Sequence, residues 1–411
     1  MTLDTASEPL AEGVQPGALK ASGQGLCVAG RGALEACSSM LSLGGRGTMA
    51  TAGAVQPRTR FGLVLMVTHA CNLRCTYCYT GAKFGRAMPE ALGRKAIDRA
   101  LASLQPGGVL ELGFFGGEPC LEAPLVAALC DYAHEQAASR QITVLPGLTT
   151  NGTVTTADAR SLLTRPDLGV AVSHDGLPEV HNRHRRFANG AGSSAQVTRT
   201  IHRMCLAGKD FRVVMVVRPD TLAMLSSGVR FLRALGVRSV DASLDLWTHW
   251  TGQDVGRLEA AVSRCARVWC DGLPQFSMSW FDRKAAQLAG VPLTETARCG
   301  FGLGEVAVAP SGNLYPCERL IGEDGPSNPM RSPGHVTEGG DFLSAQPPPA
   351  CRRVACRGCS IRWACDTDCR CSNYVRTGCV DRPDGLLCAL NRACARETAK
   401  VLAALGRRSE R

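Results

Sequence analysis

Cysteine is the residue type with which this sequence could do the most chemistry, because its thiols occur in two closely spaced groups. The segment THACNLRCTYCYT has the spacing C-x3-C-x2-C, at Cys71, Cys75 and Cys78. The segment CRRVACRGCSIRWACDTDCRC, residues 351–371, holds six more cysteines. Thiolates at such spacings can converge on zinc or on one face of an iron–sulfur cluster, and the alternatives are disulfide pairing and core packing.

Length and composition favour metal ligation over disulfides. The chain has 411 residues and 21 cysteines, an odd total that argues against complete pairing. Disulfide-rich scaffolds are usually short and secreted. Here the first dozen residues include Asp4, Glu8 and Glu12 and lack the basic start and apolar run of a secretory signal. No apolar stretch approaches the ~18 residues that a membrane span needs. We therefore expect a cytoplasmic protein with reduced thiols and no membrane partner.

The charge of the chain does not by itself identify a partner. A formal charge of +10 would suit nucleic acid or an acidic peptide. The basic residues are scattered, however, and aromatic residues, which stack on bases, make up only 5% of the chain. The run RHRR at 183–186 would suit an acidic peptide or simply face solvent. The sequence thus predicts no nucleic-acid partner.

Apolar segments and helical patterns alternate from Phe61 onward. The predicted strands are 61–69, 109–117, 142–151, 168–176, 211–219 and 237–247, each followed by a helical pattern. Such alternation predicts an α/β fold with a parallel sheet covered by helices. Either an open doubly wound sheet or an incomplete barrel accommodates these units, and in both the reactive edge lies at the carboxyl ends of the strands.

The two ends of the chain differ from this middle part. Residues 1–58 are rich in Gly, Ala and Ser and are predicted to be a disordered extension; Met49 is an alternative start, and residues 1–48 are expected to be dispensable. After about residue 298 the sequence is cysteine-dense, and GEVAVAPSGNLYPC predicts a hairpin with Gly312 and Asn313 in its turn. We therefore divide the chain into 1–58, 59–290 and 291–411.

Four motifs at the ends of successive predicted strands resemble those of radical S-adenosylmethionine (radical SAM) enzymes. They are the C-x3-C-x2-C loop with Tyr77 before its last cysteine, then FFGGEP, TTNG and SHDG. The resemblance implies a partial (β/α)6 TIM-like barrel in which Cys71, Cys75 and Cys78 hold a 4Fe–4S cluster with one open iron. The residues that it implies for S-adenosyl-L-methionine are Tyr77, Gly116, Gly117, Glu118, Asn151, Ser173 and Arg185. A zinc site, for which His69 is the only close fourth ligand, is the alternative.

The C-terminal cysteines are similar to the seven-cysteine pattern of SPASM domains, which bind two auxiliary 4Fe–4S clusters. By that resemblance one auxiliary cluster takes Cys299, Cys317 and Cys369, and the other takes Cys356, Cys359, Cys365 and Cys388. The first set departs from fully ligated members, because no further cysteine follows Cys299 in CGFGLGEVAV. Its fourth position is left open, or is filled by Glu305 or by substrate. A zinc ribbon is the alternative, and the cysteines outside the pattern are expected to be spectators, namely Cys351, Cys371, Cys379 and Cys394.

The double resemblance implies an enzyme that uses a 5′-deoxyadenosyl radical to modify, and by preference cross-link, a ribosomally synthesised precursor peptide. An anaerobic sulfatase-maturating (formylglycine-generating) enzyme is the second reading. This second reading is disfavoured because those enzymes carry Asp after the hairpin cysteine, where this chain has Glu318. A non-catalytic iron–sulfur or zinc protein is the third. The partners implied are the peptide or protein substrate and an electron donor such as flavodoxin or ferredoxin.

Glu318 and three histidines near the SHDG motif are further candidates for chemistry. Glu318 follows Cys317, so it is predicted to be a catalytic general base or substrate-orienting carboxylate. The alternative is a surface ion pair with Arg319. His174, His181 and His184 would suit a metal site, but satisfied structural histidines are the favoured interpretation.

Overall fold

The computed structural model describes residues 56–291, 300–344, 356, 358–365 and 369–409. The predictions for residues 1–48 and for the ligand Cys299 lie outside these residues, as does Cys351. The boundary predicted at 290/291 falls beside one of the gaps.

The described part of the chain contains nine strands and ten α-helices, besides short 3-10 helices. The strands are β1 (Arg58–Thr68), β2 (Leu104–Gly116), β3 (Thr143–Thr150), β4 (Gly169–Ser173), β5 (Phe211–Val217), β6 (Ser239–Leu244), β7 (Ser277–Met278), β8 (Glu305–Val308) and β9 (Leu314–Tyr315). The helices are α1 (Glu90–Ala102), α2 (Ala123–Ala138), α3 (Ala157–Thr164), α4 (Pro178–His184), α5 (Ser194–Leu206), α6 (Leu225–Ala234), α7 (Gly252–Cys270), α8 (Ser279–Leu288), α9 (Arg370–Thr377) and α10 (Gly385–Ser409).

All nine strands form one sheet, in the order β7-β6-β5-β4-β3-β2-β1-β8-β9. Strands β1 to β6 are neighbours in chain order and every pair is parallel. A doubly wound sheet would reverse its order at a switch point, and this sheet does not. The predicted incomplete barrel is therefore confirmed, with the carboxyl ends of six parallel strands along one rim.

Strand β1 shows how the sequence builds the two faces of this sheet. Side chains alternate along a strand, and Phe61, Leu63 and Leu65 are fully buried in the main core beneath the helices. Val64 and Met66 point to the opposite face and pack in a smaller cluster with Ala307 and Tyr315. Burying each large apolar side chain stabilises the fold by roughly 1.5–3 kcal/mol.

The C-terminal segment is continuous with the barrel. Strand β8 pairs in parallel with β1, from Gly62 opposite Glu305 to Leu65 opposite Val308. Strand β9 returns antiparallel to β8, which confirms the predicted hairpin. Helix α10 packs on α7 and α8 and contributes Leu386 and Ala393 to the main core. No helix in the described residues is long and apolar enough to cross a membrane.

Candidate functional site

The C-x3-C-x2-C segment forms a loop directly beyond the carboxyl end of β1. Backbone hydrogen bonds join it to the end of α4 and the residues that follow: Arg74 N donates to Arg186 O at 2.7 Å and Thr76 N to His184 O at 3.0 Å. All three thiols are partly exposed. Burial raises the pKa of Cys75 to about 12; the Arg185 charge opposes this increase, and the charges of Cys78 and Cys71 add to it. The loop therefore gathers the three predicted ligands in one place.

The two outer cysteines of this loop have different surroundings. The Cys71 sulfur accepts from Leu73 N at 3.4 Å and from Asn151 Nδ2 at 3.7 Å. The Cys78 sulfur accepts from Lys83 Nζ at 3.1 Å. Burial opposes ionisation of Cys78, but Lys83 and the Thr80 hydroxyl outweigh it and lower its pKa. Cys78, which lies beside Lys83, therefore forms a thiolate more readily than an ordinary cysteine.

The Gly116–Gly117 pair lets β2 end against the start of the cysteine loop. A Cβ on Gly116 would lie 2.4 Å from Thr68 O, and one on Gly117 would lie 2.2 Å from Ala70 O. No side chain fits such a separation. Gly117 N also donates to Thr68 O at 2.8 Å, and Glu118 N donates to Ala70 O at 2.9 Å. The glycines are therefore required for the loop to close on the rim.

The Glu118 carboxylate is fully buried and holds the end of β3. It accepts from Cys120 N at 2.9 Å, Thr150 Oγ1 at 2.7 Å and Asn151 N at 2.6 Å. Burial raises the pKa of Glu118 in spite of these bonds. The carboxylate thus positions Asn151 beside Cys71, and its predicted contact with S-adenosyl-L-methionine remains a prediction.

Asn151, Ser173 and Arg185 all lie on the same rim and are almost completely buried. Arg185 forms an ion pair with Asp175, with Nε 3.0 Å from Oδ2. The Tyr77 hydroxyl donates to the same carboxylate, and the Arg185 guanidinium lies 5.2 Å from the centre of the Tyr77 ring. Burial alone would raise the pKa of Asp175, but Arg185 and the hydrogen bonds hold it below its usual value.

Asp175 is a site residue that the sequence analysis missed. It lies inside the quoted SHDG motif, but nothing in the sequence links it to Tyr77, 98 positions away. The carboxylate also accepts from Val216 N at 3.0 Å, which ties β5 to the site. Asp175 therefore joins three segments of the rim.

The three histidines near SHDG are satisfied by the protein, as favoured from the sequence. His181 Nε2 lies 2.8 Å from Ser193 Oγ and its Nδ1 accepts from Asp175 N. His184 bonds to Thr76 and Asp220, and His174 Nδ1 accepts from Gly176 N. Burial lowers the pKa of His174 to about 4 and that of His181 to about 2. His69 instead stacks on Phe84 at 4.3 Å, and its ring nitrogens have no hydrogen-bond partner among the described residues.

A second group of thiols lies where the hairpin meets α9. The sulfurs of Cys369 and Cys371 are 3.4 Å apart, and Cys317 lies in the same buried cluster as Cys371. Cys369 packs against the buried cluster that contains Cys317, and their joint ligation of an iron–sulfur cluster remains a prediction. Cys371, which was expected to be a spectator, lies against Cys369 in this group, and that expectation remains a prediction. The spacing C-x-C gave no signal, since the contact depends on how α9 begins.

Two carboxylates accompany Cys317. Ligand atoms of Glu305, Cys317 and Glu318 lie within 4.8 Å of one another, and Cys317 Sγ donates to Glu318 Oε2 at 3.3 Å. Burial, and then the charge of Glu318, raises the pKa of Glu305 to about 8. Glu305 lies beside Gly62 of β1, where a Cβ would come within 3.0 Å of its Cγ. The acidic pair is therefore on the inner face of the barrel.

A third group of thiols lies before α9 and at the start of α10. Burial raises the pKa of Cys388 to about 11, and Cys365, Cys356 and Cys359 all act on it electrostatically. The four cysteines predicted for one auxiliary cluster are therefore neighbours. Among the described cysteines Cys379 is disulfide-bonded, an exception to the expectation of reduced thiols.

Aromatic side chains extend from the cysteine loop into the barrel. Tyr79 stacks on Trp247 at 5.1 Å and lies 6.0 Å from Phe115. Trp247 remains 47% exposed. Phe115 is on the face of β2 opposite the main core, so the stack offers a flat apolar wall inside the barrel.

Residues 65–232 match the family described as the Radical SAM superfamily. The chain therefore carries a radical SAM domain, which confirms the class predicted from the four motifs. Such a domain implies a 4Fe–4S cluster and S-adenosyl-L-methionine. Three partly exposed thiols on one loop, beside a glycine pair that a Cβ would block, fit that requirement.

The chain is similar to several maturation proteins. It is 26% identical to the serine-type anaerobic sulfatase-maturating enzyme of Klebsiella aerogenes over 61% of this chain and 65% of that protein. It is also 26% identical to the antilisterial bacteriocin subtilosin biosynthesis protein AlbA of Bacillus subtilis (strain 168), over 66% of this chain and 57% of that protein. It thus spans less than two thirds of either relative.

Among solved structures, the fold is similar to that of native anSMEcpe with bound AdoMet and Kp18Cys peptide. The TM-score is 0.67 at 16% identity, and the match covers 84% of this chain and 99% of that one. At this identity the likeness establishes the fold alone.

Proposed function

We propose that the protein is a radical SAM maturase that cross-links a ribosomally synthesised precursor peptide. The observation that carries the proposal is the presence of three separate thiol groups on one scaffold, of which only the first lies on the rim of the radical SAM domain. The other two are the group at Cys317 and the group at Cys388. Two additional cysteine sets suit a reaction that must remove electrons from its substrate as well as start a radical.

The residues of the rim would hold the cofactors. Cys71, Cys75 and Cys78 supply three thiolates, while Asn151 and Arg185 are fixed beside them by Glu118 and Asp175. When bound, the cluster and S-adenosyl-L-methionine supply hydrogen-atom abstraction, and the auxiliary clusters supply an electron acceptor. The protein orients the peptide and excludes water, and the Tyr79–Trp247 stack is the apolar surface available for that purpose.

Glu318 would act on the peptide from the inner face of the barrel. Closing a thioether or carbon–carbon link requires one substrate atom to lose a proton in addition to the hydrogen atom removed from its partner. The Glu318 carboxylate is next to Cys317 and close to Glu305, and this position supports its role as the acceptor of that proton. Glu305 is the companion carboxylate, and an electron donor such as flavodoxin or ferredoxin would be the protein partner.

A sulfatase-type maturase is the second candidate, favoured by the alignment with the enzyme from Klebsiella aerogenes. It would convert a serine or cysteine of a protein substrate into formylglycine. The same residues would serve it, except that Glu318 stands where those enzymes have Asp. The two candidates differ in their product, because an aldehyde reacts with hydrazides and a cross-link does not.

The test is co-expression with short peptides encoded next to the gene, under anaerobic conditions. We expect a peptide that loses a pair of hydrogen atoms in mass spectrometry, resists hydrazide labelling and shows linked fragments. The chain with Cys71, Cys75 and Cys78 changed to Ala is the matched control and should return unmodified peptide. A hydrazide-reactive product would favour the second candidate, and no 5′-deoxyadenosine from the wild-type protein would refute both.

A further inference from the structure

The run RHRR at 183–186 is a motif that the proposed function uses only in part. Its two middle residues, His184 and Arg185, are buried and bonded to other residues of the rim. Its two outer residues, Arg183 and Arg186, are exposed. The run therefore places two side chains inside the rim and presents two cations to solvent.

The exposed Arg186 lies opposite Arg74 of the cysteine loop. Leu73 and Phe187 form an antiparallel bridge, and in the same register Arg74 N donates to Arg186 O at 2.7 Å. Residues opposite each other on antiparallel strands project from the same face, and like charges in such positions are destabilising. Arg74 is exposed as well. The contribution of this pair to stability therefore does not explain it.

No carboxylate neutralises the Arg74–Arg186 pair among the residues that the structure describes. Arg74 Nη1 donates to two carbonyl oxygens of the cysteine loop, Cys71 O at 2.7 Å and Leu73 O at 2.9 Å. Arg186 Nη1 donates to Gly190 O at 3.2 Å. Carbonyl oxygens satisfy the donors and leave both positive charges in place, so the outer side of the cysteine loop is cationic.

The third exposed cation of this segment, Arg183, is only partly compensated. Its Nη1 lies 3.5 Å from Asp220 Oδ2. The same carboxylate also contacts His184 and Arg218. Because one carboxylate is shared in this way, Asp220 has little negative charge left to offset the Arg74–Arg186 pair.

We propose that the Arg74–Arg186 pair is the docking surface for a small acidic electron-carrier protein. The inference rests on the proposed function, in which each cleavage of S-adenosyl-L-methionine takes up one electron. Arg74 stands between Cys71 and Cys75, so a protein docked on it lies next to the ligands of the first cluster. The reduced cofactor of the carrier loses one electron, the cluster gains it, and no bond forms between the two proteins.

The position of the pair favours an electron carrier over the precursor peptide. The peptide has to enter the barrel, where Tyr79 and Trp247 stack, whereas a carrier only has to approach the cysteine loop from outside. Electron tunnelling falls steeply with distance, so a docking surface on the ligand loop itself is the most effective one. Complementary charge also raises the rate at which two proteins meet.

Binding of the carrier is the first measurement, because it does not depend on catalysis. A flavodoxin and a ferredoxin are each tried under anaerobic conditions, and the one that drives the faster cofactor cleavage by the wild type is used. Biolayer interferometry should show that it binds Arg74→Glu/Arg186→Glu about tenfold or more weakly than the wild type, because both contact charges are reversed.

The matched control is Arg203→Glu/Arg233→Glu, which reverses two exposed charges in the last turns of α5 and α6. Each of these helices runs antiparallel to the strands, so its last turn lies at the end of the barrel opposite the rim. This control should bind the carrier as the wild type does.

The second measurement separates docking from the integrity of the site. We would quantify 5′-deoxyadenosine with the carrier as reductant and, separately, with reduced methyl viologen, a small cation that needs no docking surface. For Arg74→Glu/Arg186→Glu the carrier-driven rate should fall by about tenfold or more, while the viologen-driven rate should equal that of the wild type. Added salt should slow the carrier-driven reaction of the wild type and have little effect on that of the variant.

The possible failures are distinguishable. Unchanged carrier binding and an unchanged carrier-driven rate in the double variant would refute the docking surface and leave the proposed function standing. A normal carrier-driven rate together with weaker binding of precursor peptide would assign the surface to the peptide and refute the inference equally. No 5′-deoxyadenosine from the wild type with viologen would refute the proposed function, and this inference with it.

The variant at Arg74 could also disturb the cysteine loop, which would lower the viologen-driven rate. In that event Arg186→Glu decides, because Arg186 lies outside the loop. A loss confined to the carrier-driven rate of Arg186→Glu would support the inference, and equal losses with both reductants would overturn it.

Discussion

At the scale of single residues, Glu318 carries a specific chemical expectation. Glu318→Gln keeps the shape of the side chain and removes the proton acceptor beside Cys317. We expect cleavage of S-adenosyl-L-methionine to continue while modified peptide falls by ~100-fold or more, the usual scale of lost acid–base catalysis. Liquid chromatography of 5′-deoxyadenosine and mass spectrometry of the peptide measure the two separately.

The matched control for this change is Glu338→Gln, at an exposed carboxylate that bonds to His335 N. It should leave both products unchanged. A normal yield of modified peptide from Glu318→Gln would show that the carboxylate is only part of a local ion pair.

The Asp175–Arg185 pair is the residue-scale feature on which the rim depends most. Its side chains are 2% and 8% exposed, so Asp175→Asn would leave Arg185 as a buried charge without a counter-ion. Breaking such a pair costs roughly 3–5 kcal/mol. We expect a markedly lower unfolding temperature and weak binding of S-adenosyl-L-methionine.

Asp167→Asn is the comparison for this variant, because Asp167 pairs with Arg165 near the surface, with side chains 30% and 22% exposed. There the expected cost is below about 1 kcal/mol. Equal melting temperatures for the two variants would contradict the importance given to Asp175.

Contacts across the rim show which site residues could be predicted from the sequence and which could not. The motifs predicted Tyr77, Asn151 and Arg185 one by one, because each stands at a fixed place after its strand. Asp175 was not predicted, because its role depends on partners that the fold brings together. Contacts of this kind have no period and no spacing in the chain.

At the scale of elements, the segment from the end of β4 through α4 is stabilised by neutral histidines. The unfolded chain binds a proton at each histidine below a pKa of about 6.5. The folded chain does so only near pH 4 at His174 and near pH 2 at His181, because burial disfavours the charged rings. Their contribution to the free energy of unfolding is therefore complete above pH 6.5. It is lost as the pH falls below 6.5, by up to ~1.4 kcal/mol per pH unit for each ring.

We expect the free energy of unfolding to fall by roughly 2 kcal/mol between pH 6.5 and 5.5 on account of these two rings. Anaerobic denaturant titrations at several pH values measure this slope. His134→Gln, at an exposed histidine, should keep the slope, and a double substitution of His174 and His181 should reduce it. A wild-type slope that is flat in this interval would contradict the prediction.

The sequence predicted the regular elements well and the short ones poorly. Alternating apolar residues identified β1 to β6 within a few positions. Strand β2 begins at Leu104, earlier than predicted, because Pro106, Gly107 and Gly108 read as a turn although this stretch continues the strand. Strand β7 has two residues and therefore no pattern to detect. The pairing of β8 with β1 could not be predicted, because the sequence does not show that β1 lies at the edge of the six parallel strands.

At the scale of the whole molecule, the C-terminal segment completes the core of the barrel. A chain that ends at Val291 would expose the edge of β1, the inner side chains Val64 and Met66, and the face of α7 that α10 covers. Exposed strand edges and apolar faces promote association. We expect this chain to aggregate, as measured by size-exclusion chromatography, whereas a chain that lacks only residues 407–411 should stay monodisperse. A soluble, folded chain ending at Val291 would mean that the barrel is independent.

The pairing of β8 with β1 has a consequence for electron movement. The carboxyl end of β1 runs into the loop that bears Cys71. Cys317 follows β9, which returns antiparallel toward the amino end of β8 and so brings Cys317 to the other end of the ladder. Tunnelling rates decay exponentially with separation, so small changes of distance alter them strongly. Because main-chain hydrogen bonds join the two strands, thermal motion would change the separation between the clusters proposed at either end only slightly. The timing of electron removal would then be set by backbone geometry, whichever peptide occupies the barrel.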